Sequence, residues 1–222
     1  MNLRARATDT ELLDAGVPEE EALESLADLR RVNRWLGTHR RLLRAVRPFL
    51  ASSPQPRLLD VGCGSADVPD RIRRAFPRAV LAVGVDLKLL HLRAAPPEVR
   101  RVVADVKALP FRSGVFDVVL ASHFLHHFDG AEAAEVLRRL YDVARRALVV
   151  DDLRRARVPY AFARALSPLL LRSRVSVADG ALSIRRGFTA GELAAAFAEA
   201  GIPVRIRRAF PYRLLAVAEK AA

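Results

Sequence analysis

Short apolar runs at 57–61, 79–85, 99–104, 115–121 and 147–150 alternate along the chain with longer stretches of helical spacing. Runs of that length, mostly apolar, suit strands buried on both faces. Their alternation with helices predicts βαβ units and a mostly parallel sheet. Two further runs, Val204–Ile206 and Leu214–Ala218, flank Pro211 and predict an antiparallel, hairpin-like ending. Before the first strand, residues 9–50 carry apolar positions such as Leu26, Leu29, Leu42, Val46 and Phe49 at three- and four-residue intervals. That spacing predicts helices. Pro54 and Pro56 place a linker near 51–56. The pattern divides the chain into an N-terminal helical lid or extension, 1–56, and a domain, 57–222, whose segment 153–187 is an insert after the fifth strand.

Helix ends are written in polar residues. Thr189 with Glu192, and Asp129 with Glu132, have capping-box spacing, and Gly201 supplies a stop after the first of these helices. The insert is basic and apolar, with Leu169–Leu171 among Arg154, Arg157, Arg164, Arg172 and Arg174.

Half of the 222 residues are hydrophobic (51%), which excludes a disordered chain. Of 37 basic residues only Lys88, Lys107 and Lys220 are lysines, leaving 34 arginines and a net charge of +12. Such a field favours anionic partners, but the arginines are spread along the chain rather than blocked together, as surface arginines standing in for lysine would be. The single cysteine, Cys63, permits no internal disulfide. The opening MNLRARATDTELLD turns acidic before any apolar run develops, unlike a signal peptide, and no apolar stretch spans a bilayer. A cytoplasmic location is expected.

The chemistry concentrates where strands end. Leu58-Leu59-Asp60-Val61-Gly62-Cys63-Gly64 is a strand running into a glycine turn and then a helix. Glycine lets the backbone turn tightly and approach a ligand, and the helix start offers free N–H groups. Asp86 ends the second strand about 20 residues on, where an acid can accept hydrogen bonds from ribose hydroxyls; it could also cap the helix from Lys88. Asp105 ends the third strand in the same way. A dinucleotide dehydrogenase would want a glycine where Asp67 stands, and an acid there faces a pyrophosphate badly.

In order, DVGCGS, GVD, ADVKALPF and FDVVLASHFLHHF resemble the class I S-adenosylmethionine-dependent methyltransferases of the small-molecule type. The resemblance covers about 57–152, with weaker agreement in GFTAGELAAAFAEAG. It implies a Rossmann-like, doubly wound α/β fold with a mostly parallel seven-stranded sheet, an antiparallel last strand and the N-terminal helical extension. It implies S-adenosyl-L-methionine at Gly62, Cys63 and Gly64, with Asp60 supporting the turn. Asp86 and Leu87 would lie at the ribose, Asp105 and Val106 at the adenine, and Ser122 at the exit of the fourth strand. No metal is implied. Many family members have glycine where this chain has Ala66, which would widen the turn or start the helix earlier.

The fourth-strand exit, Ser122-His123-Phe124-Leu125-His126-His127, corresponds to the family's methyl-transfer position. A phenol or alcohol acceptor needs a base, and histidine suits that role. His126 and His127 are the first candidates and His123 the third, against the alternative that all three pack. His39 and His91 read as surface residues. The Asp/Asn-Pro-Pro-aromatic motif of exocyclic-amine nucleic-acid methyltransferases is missing after the fourth strand, which weighs against a nucleic-acid acceptor. The apolar insert points to a lipophilic, phenolic or quinone-like small molecule and O- or C-methylation. The alternative is a basic insert docked on an anionic membrane surface, in an enzyme or in a non-catalytic protein that binds the cofactor.

Overall fold

The computed structural model describes Leu3 and residues 5–220; Met1, Asn2 and Arg4 of the opening segment lie outside it. Seven strands form one sheet: β1 (Arg57–Val61), β2 (Leu81–Asp86), β3 (Arg100–Val103), β4 (Phe116–Ser122), β5 (Ala144–Leu153), β6 (Arg205–Ala209) and β7 (Arg213–Glu219). Their order is β3-β2-β1-β4-β5-β7-β6. The pairs from β3 to β5 are parallel, and β7 runs antiparallel to both neighbours. Six strands therefore share a direction and the last opposes them, as the pattern predicts. β5 is longer than its apolar run because Asp151 and Asp152 continue it.

Nine helices complete the described residues: α1 (Leu12–Ala15), α2 (Glu19–Trp35), α3 (Thr38–Ala51), α4 (Asp67–Arg74), α5 (Leu89–Arg93), α6 (Gly130–Val143), α7 (Arg157–Leu170), α8 (Arg174–Arg186) and α9 (Ala190–Glu199). Consecutive residues of each central strand face opposite layers. Leu59 and Val119 pack with α6 and α9 through Leu137, Leu140 and Phe197. Leu58 and Val118 pack with α3 and α4 through Leu42, Val46, Leu50 and Ile72. Thus α3, though it precedes the linker at 51–56, contributes directly to one face of the sheet core.

The capping box at Thr189 and Glu192 is formed, and Gly201 ends that helix with a left-handed φ of 73°. The other expected box is not. Asp129 makes no side-chain cap; it pairs with Arg6 at 3.1 Å, and Glu132 pairs with Lys107. Two ion pairs draw the carboxylates away from the helix end.

Helices α1, α2 and α8 gather over the carboxyl edge of the sheet. Their junctions are polar. Asp28, wholly buried, accepts the N–H groups of Arg172 and Ser173 at 2.9 and 2.8 Å, and Asp179 accepts those of Leu12 and Leu13. The Ser25 and Ser176 hydroxyls meet at 2.9 Å. No helix among the described residues is long and apolar enough to cross a membrane. β3 and β6 are the outer strands of the sheet, and Arg100, Arg101, Arg205, Arg207 and Arg208 on them are exposed.

Candidate active site

The parallel strands end together beside the glycine turn, where ligands bind in such sheets. Gly62 and Gly64 both adopt left-handed backbone, with φ of 65° and 53°. Gly62 has a further constraint: a Cβ there would lie 2.7 Å from Cγ and Cε2 of the Phe124 ring. Ala66 also takes a left-handed φ, 53°, and α4 starts at Asp67. The turn therefore keeps the path a glycine would give it, with a buried methyl in place of the hydrogen, rather than widening. Cys63 tucks beside Gly84, whose Cβ would come within 2.7 Å of its Sγ, so small size accounts for both residues.

Three carboxylates surround this turn. Asp60 lies one residue before the end of β1 and is 2% exposed; burial, then the charges of Asp67 and Asp86, push its carboxyl well above the ordinary range. Asp86 accepts the Gly64 N–H at 2.9 Å with one oxygen and the Lys88 N–H at 2.9 Å with the other. It ties the turn to the segment entering α5, whose N-terminus has no side-chain cap, so the capping role expected of Asp86 is not formed. Asp67 faces Nε2 of His39 at 2.8 Å. His91 places Nδ1 3.1 Å from Asp86. His39 and His91 are therefore corrections to the surface reading: each is drawn inward by an acid of the turn, and His91 is only 6% exposed. Spacing alone gave no sign of either contact.

The cleft over the turn has a volume of about 90 Å³, lined by Asp60, Gly62, Cys63, Gly64, Ser65, Asp67, Val68, Ser122 and His123, with Leu26, Leu29 and Asn33 of α2 above. A drug-sized ligand needs roughly 300–1,000 Å³, so α2 closes the site. Along the same edge, Leu87 and Val103 are exposed apolar side chains, whereas Val106 is buried in the core. Asp105 is exposed and accepts the Lys107 N–H at 2.9 Å.

Of the three candidate histidines, only His123 lines the cleft among the described residues. It leaves β4 with a left-handed φ of 54°, and its N–H donates to the Asp151 carbonyl at 3.0 Å. Burial and then the Arg213 charge hold its pKa well below the ordinary value, so it is neutral. His126 faces away from the cleft. Its Nδ1 lies 2.6 Å from Asp152 and its Nε2 3.4 Å from Glu11. Burial opposes its charge, but the two carboxylates prevail and raise its pKa to about 9. His127 sets Nδ1 2.7 Å from Asp14. His126 is an imidazolium held between acids, with neither nitrogen free to take a proton.

Arginines missed by the sequence reading shape this region. Arg6 and Arg186 donate to the His126 carbonyl at 2.9 and 3.2 Å and hold its loop. Arg41 grips Asp151 with two bonds of 2.7 and 2.8 Å. Arg41, Arg155, Arg186 and Arg213 are all buried, which corrects the picture of arginine as a surface substitute for lysine. Long-range pairing distinguishes Arg41, Arg155 and Arg186 from their neighbours.

The sequence profile described as a methyltransferase domain matches residues 59–147, from within β1 to within β5, including the glycine turn and the exit of β4. Over that segment the chain is similar to methyltransferase domains. Over 159 residues it is 31% identical to a malonyl-[acyl-carrier protein] O-methyltransferase of Geobacter sulfurreducens, covering 65% of this chain and 55% of the relative. Over 84 residues it is 34% identical to the protein of the same description from Legionella pneumophila, covering 35% and 29%. The chain thus spans about half, or less, of these curated relatives. Its fold is similar to that of the plantazolicin methyltransferase crystallised with a desmethyl substrate analogue and S-adenosylhomocysteine (TM-score 0.67, 14% identity, 88% of this chain and 90% of that one). It is also similar to magnesium protoporphyrin IX methyltransferase from Synechocystis PCC 6803 (TM-score 0.61, 15% identity, 86% and 85%).

Proposed function

We propose that the chain binds S-adenosyl-L-methionine at the glycine turn and transfers its methyl group to an oxygen of a small-molecule acceptor. The observation that carries this reading is the ring of Asp60, Asp67 and Asp86 around Gly62 and Gly64. The charges of Asp67 and Asp86 repel a pyrophosphate and suit a ligand with cationic ammonium and sulfonium groups. The residues fit the group. Gly62 keeps the backbone clear where a Cβ would intrude, Asp86 stands at the end of β2, and Leu87 and Val103 offer apolar surface at the edge. The description of the curated relatives as O-methyltransferases supports oxygen as the nucleophile.

When bound, the cofactor supplies an already activated methyl group. What remains for the protein is alignment and exclusion of water. Leu26, Leu29 and Asn33 cover the turn, and Ser122 with His123 forms the opposite wall. His123 is held neutral with a depressed pKa and is a weak base, and His126 is locked between carboxylates. The site favours an acceptor whose oxygen carries no proton to remove over the phenol that the insert suggests.

Calorimetry with S-adenosylhomocysteine tests the reading. The wild-type chain is expected to bind, and Asp86→Asn to bind about 10- to 150-fold more weakly, the equivalent of a lost charged hydrogen bond of about 1.5–3 kcal/mol. Folded wild-type protein without affinity for either cofactor form refutes it.

A second reading concerns where the acceptor is met. On α7, Val158, Phe162, Leu166 and Leu169 are exposed at four-, four- and three-residue spacing, beside Arg157 and Arg164. That face supports docking on an anionic membrane surface. Co-sedimentation with phosphatidylserine vesicles, lost at high salt, is expected; binding to neutral vesicles alone, or to none, removes this reading.

A further inference from the structure

Arg213 opens β7 opposite Leu153, at the carboxyl edge of the sheet where the cleft lies. It is 1% exposed, yet among the described residues Nε, Nη1 and Nη2 have no hydrogen-bond partner. A guanidinium buried without partners is costly and uncommon. Deprotonation does not relieve it, since burial lowers its pKa only to about 10.

The neighbouring acids are already engaged. Asp151 is held by the two bonds from Arg41. Asp152 faces His126 and accepts the N–H groups of His126 and Leu153 at 3.0 and 2.7 Å. Arg213 is therefore a buried cation to which none of these acids is hydrogen-bonded. Beside it stands His123, which lines the cleft, feels Arg213 more than any other charge, and has a buried, unpartnered Nε2 of its own.

We infer that Arg213, with His123, forms the receiving site for a carboxylate on the acceptor. The planar guanidinium fork matches a carboxylate with two parallel bonds. Phosphate shares that match, but its second negative charge would meet Asp67 across a cleft of about 90 Å³. A single negative charge fits better. The site deepens the methyltransferase reading and rests on it: the carboxylate fixes the acceptor at the strand edge where the methyl group is delivered. It also explains why a fully buried arginine opens a strand that otherwise reads Leu-Leu-Ala-Val-Ala.

The test is calorimetric, with malonate, acetate, inorganic phosphate and uncharged acetamide as probes at constant ionic strength, with and without saturating S-adenosylhomocysteine. The carboxylates are expected to bind at least tenfold more tightly than acetamide or phosphate. Arg213→Gln should lose at least tenfold of the malonate affinity while its affinity for S-adenosylhomocysteine stays unchanged, and Arg213→Lys should retain part of it. Equal malonate binding by wild type and Arg213→Gln overturns the inference, as does phosphate binding that exceeds carboxylate binding. Should Arg213→Gln not fold, the wild-type series decides: cofactor binding without carboxylate binding rejects the carboxylate site and leaves the methyltransferase reading standing. Carboxylate binding without cofactor binding does the reverse.

Discussion

His126 offers the sharpest test of the electrostatics. Its imidazolium lies between Asp152 and Glu11, and its pKa of about 9 in the fold stands against an ordinary value of 6.5. A raised folded pKa contributes stability that is fully present below the unfolded value and is lost as pH rises through the folded one. At about 1.4 kcal/mol per pKa unit, the loss between pH 6.5 and 9 is about 3 kcal/mol. The lowered pKa of Asp152 expresses the same attraction and is not added to it. It sets the acid limit: stability falls again as pH drops below the ordinary carboxylate range. Urea unfolding of the wild type should therefore show a plateau near pH 5–6 and a decline of about 3 kcal/mol by about pH 9–10. His126→Gln leaves Asp152 buried without its cation, which should cost about 3–5 kcal/mol at pH 6 and flatten the alkaline decline. Parallel pH profiles for the two proteins, or ring resonances of His126 that titrate at the ordinary value, would refute the arrangement.

Other substitutions probe the turn and the buried pairs. Gly62→Ala should cost about 1–2 kcal/mol for the left-handed backbone alone, with more for the clash with Phe124, and should abolish binding of S-adenosylhomocysteine in calorimetry. Ala66→Gly relieves a left-handed alanine but removes a buried methyl worth about 0.8 kcal/mol, so its unfolding free energy should stay within about 1 kcal/mol of wild type and cofactor affinity should hold. Arg41→Met strands Asp151 in the core and should destabilise the chain by about 3–5 kcal/mol in urea, far more than removing an exposed arginine such as Arg205.

Local pattern was enough for the sheet. Each strand carried its own apolar run, and the order of glycine turn and strand-end acids marked the carboxyl edge before any contact was known. The misreadings share one cause. His39, His126, Arg41, Arg155 and Arg186 each have a partner 26 or more residues away, and no local window contains such a pair. Asp129 shows the converse. Its local spacing satisfied a capping rule, and a distant arginine outbid the backbone for its carboxylate. Which histidine lines the cleft was equally hidden, since it depended on how a three-residue turn met the sheet edge.

The two outer strands carry a consequence for how copies of this chain meet. Any molecule that tried to extend the sheet would lay its own edge about 4.8 Å from Arg100 and Arg101 on one side, or from Arg205, Arg207 and Arg208 on the other. That distance is shorter than the screening length of about 8 Å in physiological salt, so like charges would meet almost unshielded. The excess of arginine thus acts as a barrier to strand-by-strand aggregation, and polyanions that neutralise it should bring the edges together.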